Sequence, residues 1–386
     1  MLDLPSFFHY INRYVLWNYS DITDYNKFPC EEVACGESPF KFNRDFVLES
    51  QMLDLLKKIE YQYKDKTVRC SLDDLLASTG TTSFIITKND TILYEKYFNG
   101  YKRESINTSF SMAKTFTSAL IGIAIDEGYI KSIDNSILDY IPELKGRISD
   151  DLAIKHLLTM SSGIRYSTSY YPWSDEPKSY YYPDLQQLVL RSVKQEYQPG
   201  LYFKYSNYNT ILLGLILERV TKVPANKYLQ EKIWKPIGME FPATWSSDST
   251  RTRQTKMESG INARSIDFAK FGKLFLDLGR WNGVQVMPEK WIIESSSPLI
   301  GEDKKYYIEK NYFPYSMFFK DKQLYYKYGW WGLKVGDTSF DYIAIGHLGQ
   351  FIYVCPEKNI IIVRNGFKWG EINWWPKLFR EIVELI

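Results

Sequence analysis

The stretch Phe110-Ser111-Met112-Ala113-Lys114-Thr115-Phe116 opens a long apolar run. From Met112, the residues Phe116, Ala119, Leu120 and Ile123 recur at three- and four-residue steps, which predicts a helix with one buried face. Gly128, just after Asp126-Glu127, suits a left-handed cap that ends it. Ser111 and Lys114 stand three apart, so hydroxyl and amine project from one side of that helix, one turn apart. A serine in the first turn also lies near unpaired backbone N–H groups and the positive end of the helix dipole, both of which favour a developing oxyanion. The pair therefore reads as a candidate nucleophile with its proton acceptor. By itself the pattern is weak. Ser38-Pro39-Phe40-Lys41 fits it equally well in a Gly/Pro-containing stretch without helical period, and an ordinary helix-start serine beside a solvated lysine would satisfy it too.

Length and charge narrow the setting. A chain of 386 residues can bury a large core, as one large domain or two. The net charge is +2 with no basic block, which argues against nucleic acid as a partner. No apolar run approaches the length of a membrane span. Met1 to Ser20 is interrupted by His9, Asn12 and Arg13, and no small-residue cleavage site follows. It does not read as a signal peptide, and the compartment stays open between cytoplasmic and exported. Cys30, Cys35, Cys70 and Cys355 match no zinc spacing, and His9, His156 and His347 do not cluster with them, so no metal site is implied. Free thiols are the expectation, with a Cys30–Cys35 bridge open in an oxidising compartment.

Residues 1–45 are expected to pack as an irregular, aromatic extension, with the main domain over 46–386. A helix is predicted near 46–60. Ser83 to Thr87, the polar turn Lys88-Asn89-Asp90 and Thr91 to Phe98 predict a β-hairpin. Residues from about 111 to 319 are mostly helical in pattern, with pieces at Asp134–Tyr140 and Ile154–Met160, then helices after Asn207, over Ala263–Leu278 and from Pro288. Tyr166 to Pro183, dense in Tyr, Trp, Pro and Ser, is either a surface loop pinned by its rings or the wall of a binding cleft. Strands are predicted at Tyr326–Lys334, Tyr342–Ile345, Phe351–Cys355 and Ile360–Arg364, before a closing helix at Trp375–Ile386. A hairpin early, helices between and strands late imply an α/β (α+β) fold. One antiparallel sheet, built from about 46–110 and 320–386, would be flanked by helices, with a mainly helical region inserted.

Three elements then combine: Ser111-Met112-Ala113-Lys114, Tyr205-Ser206-Asn207 and His347-Leu348-Gly349, in that order and roughly a hundred residues or more apart. Together they resemble the signature of the serine β-lactamase, penicillin-binding and D-Ala-D-Ala peptidase superfamily. The Tyr-x-Asn element is similar to its class C and esterase branch, which includes the 6-aminohexanoate-oligomer hydrolases. Leu157 to Ile164, Phe268-Ala269-Lys270-Phe271-Gly272, Gly279-Arg280-Trp281 and Gly346 to Gln350 with Pro356-Glu357 carry the likeness over about 46–386.

The resemblance implies a β-lactamase/transpeptidase-like fold and an acyl-enzyme on Ser111. Lys114 and Tyr205 would form the acid–base pair, help of a kind worth about 10²–10⁴-fold. A free lysine near pKa 10.4 would need a downward shift of about three units, ~4 kcal/mol, to act near neutrality, and partial burial is the expected cause. Asn207 would hold the substrate carbonyl or the Lys114 side chain. His347, on the strand lining the cleft, stands where β-lactamases usually carry lysine. That departure favours esters, amides or peptides over β-lactams. The backbone N–H groups of Ser111 and Gln350 would form the oxyanion hole, worth roughly 3 kcal/mol per donor. Gly349 would let substrate approach closely, and Tyr170 and Tyr171 resemble a loop that touches the leaving side. The expected partner is a small molecule or short peptide, with no cofactor; oligomeric state is not readable. The competing reading is an idle family member that binds peptidoglycan-like or peptide ligands, or acts as a scaffold.

Overall fold

A computed structural model describes residues 4–298, 305–306 (backbone only), 324–336 and 339–386. The expected helical region up to 319 and sheet region from 320 therefore run partly outside the described residues.

The centre of the molecule is an eight-stranded sheet. Across it the order is Leu324–Lys327, Trp330–Lys334, Phe340–Gly346, Gln350–Cys355, Ile360–Gly366, Thr81–Lys88, Thr91–Tyr97 and Asn43–Arg44. Neighbours are antiparallel except for the last pair, which is parallel. The join between the two ends of the chain is Ile360–Gly366 against Thr81–Lys88, with Val363 opposite Ile85 and Ile362 opposite Ile86. Residues 84–86 and 360–363 of these strands are continuous apolar runs because both sheet faces are covered there. Successive side chains point to opposite faces, so Ile361, Val363 and Ile85 enter one core while Ile360, Ile362 and Phe84 enter the other. Helix Ser265–Leu276 lies on the first face, and the closing helix Trp375–Leu385 with Leu72–Ser78 covers the second.

The expected hairpin is present as Thr81–Lys88 and Thr91–Tyr97, with Asn89 and Asp90 in left-handed conformations at the turn. The serine-bearing element is a 3₁₀ turn, Phe110–Met112, continuing as helix Ala113–Asp126. Gly128 ends it at φ +78°. Every residue from Ala113 to Ala124 is buried, so the helix is enclosed on all sides rather than on one face. It packs against Asn207–Thr221. At Gly122 a Cβ would stand 2.4 Å from the Trp291 indole, so only glycine admits that ring.

Four expectations are corrected. The lead is not irregular: Leu4–Trp17 is a helix, Cys30–Val33 pairs with Ala243–Ser246, and Asn43–Arg44 joins the central sheet. Its helix was hidden because it leaves Leu4, Phe8, Val15 and Leu16 exposed while burying Tyr10 and Arg13, the reverse of the usual apolar-in pattern. The helix expected at 46–60 stops at Leu55, and Ile59–Tyr63 pairs with Lys66–Cys70. Tyr166–Pro183 contains a helix, Asp175–Tyr181. The single strand at Tyr326–Lys334 is two, Leu324–Lys327 and Trp330–Lys334, turned at Tyr328-Gly329. Gly329, at φ +90°, brings that turn onto the serine helix, where a Cβ would come within 2.7 Å of the Lys114 carbonyl oxygen. All four cysteines are free thiols, Cys355 buried and the others half-buried. No described helix is long and apolar enough to cross a membrane.

Candidate active site

The Ser111 turn is wedged between two neighbours. On one side Ser109 donates its N–H to the Ile261 carbonyl at 2.7 Å and accepts the Ile261 N–H on Oγ at 3.0 Å. On the other, Gly346 lies so close that a Cβ would stand 2.2 Å from the Ser109 carbonyl oxygen. Phe110 is held at φ +44°, a region costly for a bulky residue. Its ring is fixed edge-on to His347 at 5.4 Å and against Tyr180 at 6.3 Å.

Lys114 is 3% exposed, and its Nζ donates to Ser111 Oγ at 3.0 Å and to the Glu258 carbonyl oxygen at 2.9 Å. Burial lowers its pKa from the usual lysine value to about 8; the charges of Glu258 and Glu176 oppose the shift and that of Lys256 adds to it. At pH 7 roughly a tenth of such an amine is neutral. Tyr205 comes to the same point from the segment before helix Asn207–Thr221. Its ring lies under the Lys114 ammonium, 4.9 Å from centroid to Nζ, and is stacked on Trp331 at 5.9 Å. The structure thus brings Ser111, Lys114 and Tyr205 together.

Asn207 is buried. Its Nδ2 donates to Ser179 Oγ at 3.0 Å and to Glu176 Oε1 at 3.3 Å, and its Oδ1 is buried with no hydrogen-bond partner. Glu176 also accepts the Tyr166 hydroxyl at 2.7 Å, and burial raises its pKa against the pull of Tyr166 and Lys114. Behind Lys114 lies a second buried pair. Lys256 and Glu258 meet at 3.0 Å, and Lys256 donates to the Tyr180 carbonyl at 2.7 Å while lying over the Phe28 and Tyr180 rings. Tyr180 in turn donates its hydroxyl to Asp24 at 2.8 Å. Sequence reasoning missed Glu176, Glu258, Lys256 and Asp24. Single carboxylates in aperiodic stretches carry no spacing signal.

His347 occupies the tight turn His347-Leu348-Gly349 that joins two strands, not a strand itself, a correction to the expectation. The turn is forced by Leu348 at φ +61° and Gly349 at φ +86°. The histidine is exposed on the surface of the site; desolvation by the surrounding protein lowers its pKa, opposed by the charge of Asp24. Gly349 has a structural reason to be glycine: a Cβ there would lie 2.2 Å from Arg364 Nη1. The Gln350 side chain is buried and locked, accepting Asn365 Nδ2 at 3.0 Å and donating to the His347 carbonyl at 3.1 Å. Tyr170 and Tyr171 are 68% and 61% exposed. Tyr171 stacks on Trp173, and the Tyr170 phenol has a raised pKa, from desolvation first and the Glu176 charge second.

A hydroxyl with a buried amine of lowered pKa at its side, on a mostly antiparallel sheet flanked by helices, defines a class: the β-lactamase and penicillin-binding hydrolase fold. The Bacillus anthracis protein assigned as a 6-aminohexanoate-dimer hydrolase superposes with a TM-score of 0.76 at 22% identity, covering 96% of this chain and 93% of that one. A class C β-lactamase in complex with cefoxitin superposes at 0.61 with 16% identity, covering 88% and 99%. Residues 72–370 match the Beta-lactamase family, and the chain belongs to that family. Among its relatives is the 6-aminohexanoate-dimer hydrolase of Paenarthrobacter ureafaciens, 24% identical over 321 residues, 79% of this chain and 75% of that protein.

Proposed function

We propose that the protein is a serine hydrolase that cleaves a small ester, amide or short peptide bond through an acyl-enzyme on Ser111. Neutral Lys114 takes the Ser111 proton as Oγ attacks the carbonyl carbon. The carbonyl electrons move onto oxygen, and the Ser111 and Gln350 N–H groups receive the oxyanion. Collapse expels the leaving alcohol or amine, protonated from the Lys114–Tyr205 pair. Water then attacks the acyl carbonyl and gives a proton to that pair, and the pair passes it to Ser111 Oγ as the C–O bond breaks and the acid leaves.

The observation that carries this reading is the Lys114 amine, buried, 3.0 Å from Ser111 Oγ and with its pKa lowered to about 8. Burial alone lowers the pKa of any amine; the 3.0 Å contact with Ser111 Oγ is what gives the neutral form a proton to take. An exposed histidine of lowered pKa at position 347, in place of a lysine ammonium, gives little hold on a substrate carboxylate, which favours neutral acyl groups over β-lactams. The amide-cleaving name of the Paenarthrobacter relative supports the same class of bond. Turnover of short acyl p-nitrophenyl esters and amides against a chromogenic cephalosporin, with Ser111→Ala as blank, tests it. Ester turnover well above cephalosporin turnover is expected. Binding without any turnover would favour an idle ligand-binding protein, and the reverse ranking would show that His347 does not select against β-lactams.

A further inference from the structure

Arg364 is fully buried on the strand Ile360–Gly366, and among the described residues no carboxylate pairs with it. Its donors are spent on oxygens of the backbone and one hydroxyl. Nη1 reaches the Gly349 carbonyl at 2.6 Å, Nη2 the Thr79 and Lys368 carbonyls at 3.1 and 3.2 Å, and Nε the Thr81 hydroxyl at 3.0 Å. The cation lies over the Trp375 ring, 4.0 Å from its centroid. A buried charge without a counter-charge is expensive to keep. Burial accordingly lowers the Arg364 pKa to about 9. Of these bonds, the one to the Gly349 carbonyl is the shortest at 2.6 Å.

The peptide that Arg364 touches is a particular one. The Gly349 carbonyl and the Gln350 N–H belong to the same amide, and the strand pair that carries it abuts the Ser111 turn through Gly346 and His347. Resting on the acyl-enzyme reading above, we infer that Arg364 is a positioning residue for the oxyanion site. Its charge-assisted bond to the Gly349 oxygen polarises that amide from behind, so that Gln350 N–H donates more strongly to the oxyanion than an ordinary peptide would. The same contact holds the His347–Gly349 turn, and it is what excludes any side chain at Gly349.

The test compares wild type, Arg364→Gln and Arg364→Lys in single-turnover acylation by a p-nitrophenyl ester, with rates expressed per titrated serine. The acyl-enzyme carbonyl stretch is read in parallel by isotope-edited infrared difference. Arg364→Gln is expected to slow acylation per site about tenfold, with substrate binding unchanged. Its acyl carbonyl should move to higher frequency, as a weaker hydrogen bond demands, and Arg364→Lys should fall between. If Arg364 only ties chain segments together, folded sites are lost while rate per site and carbonyl frequency stay at wild-type values, and the inference is overturned. Should Arg364→Gln not fold, an unchanged frequency in Arg364→Lys overturns it equally. Absence of any acyl-enzyme in the wild type would instead defeat the hydrolase reading itself.

Discussion

In the proposed mechanism, burial is what makes Lys114 a base. With its pKa near 8, the form that accepts the serine proton grows as pH rises through that value, so acylation should climb tenfold per unit below about 8 and level off above it. Glu176 opposes the downward shift. Glu176→Gln should therefore move the limb to lower pH, and stopped-flow acylation between pH 5 and 10 measures both profiles. An unmoved limb would mean that the two charges do not sense each other. At this scale the meeting of the Ser111 hydroxyl and the Lys114 amine was legible in the sequence, because three-residue spacing at a helix start is a geometric statement. Glu176, Glu258 and Lys256 were not. What makes them matter is burial beside Lys114, and burial follows from chain segments far apart in sequence meeting. For Asn207 the sequence located the residue but not its bonds, which go to Ser179 and Glu176.

Among the elements, the tightest constraint is the meeting of the serine turn with the strand end at Gly346. A methyl group there would stand 2.2 Å from the Ser109 carbonyl, so the turn would have to move. Gly346→Ala should cost about 10²-fold in kcat with the melting temperature much less affected, since displacement of a nucleophile by an ångström is costly on that scale. Steady-state kinetics with thermal unfolding separates the two. The lead offers a second case. Tyr10 donates to the Pro172 carbonyl at 2.6 Å, Tyr14 to that of Tyr170 at 2.7 Å, and Arg13 to that of Tyr181 at 3.1 Å, so one helix holds the Tyr166–Pro183 stretch. Replacing both Tyr10 and Tyr14 with Phe removes two bonds worth about 1 kcal/mol each. Amide exchange should quicken over 166–183 and KM should rise more than kcat falls; unaltered exchange there would show that the helix braces nothing. The central strands were readable from their Ile and Val runs, but this helix was not. A helix that buries tyrosines and an arginine and exposes leucines defeats a hydrophobic-period reading.

For the molecule as a whole, the order of strands explains how the candidate residues come together. The first hairpin and the last strands pair at the middle of the sheet, which closes both ends of the chain around the helical insert. Ser111 leaves the early part, Tyr205 belongs to the insert, and His347 to Gln350 come from the late part. Family likeness made this assembly legible in advance, whereas pattern alone reached only a hairpin, helices and strands. The account stands on the claim that Ser111 is made nucleophilic by a neutral Lys114, and intact-mass spectrometry after treatment with a fluorophosphonate tests it most directly. Wild type should gain one adduct, mapped to Ser111, at a rate that rises between pH 6 and 8; Ser111→Ala should gain none, and Lys114→Met should label at least a hundredfold more slowly. Equal labelling of wild type and Lys114→Met, or an adduct that persists in Ser111→Ala, would contradict it.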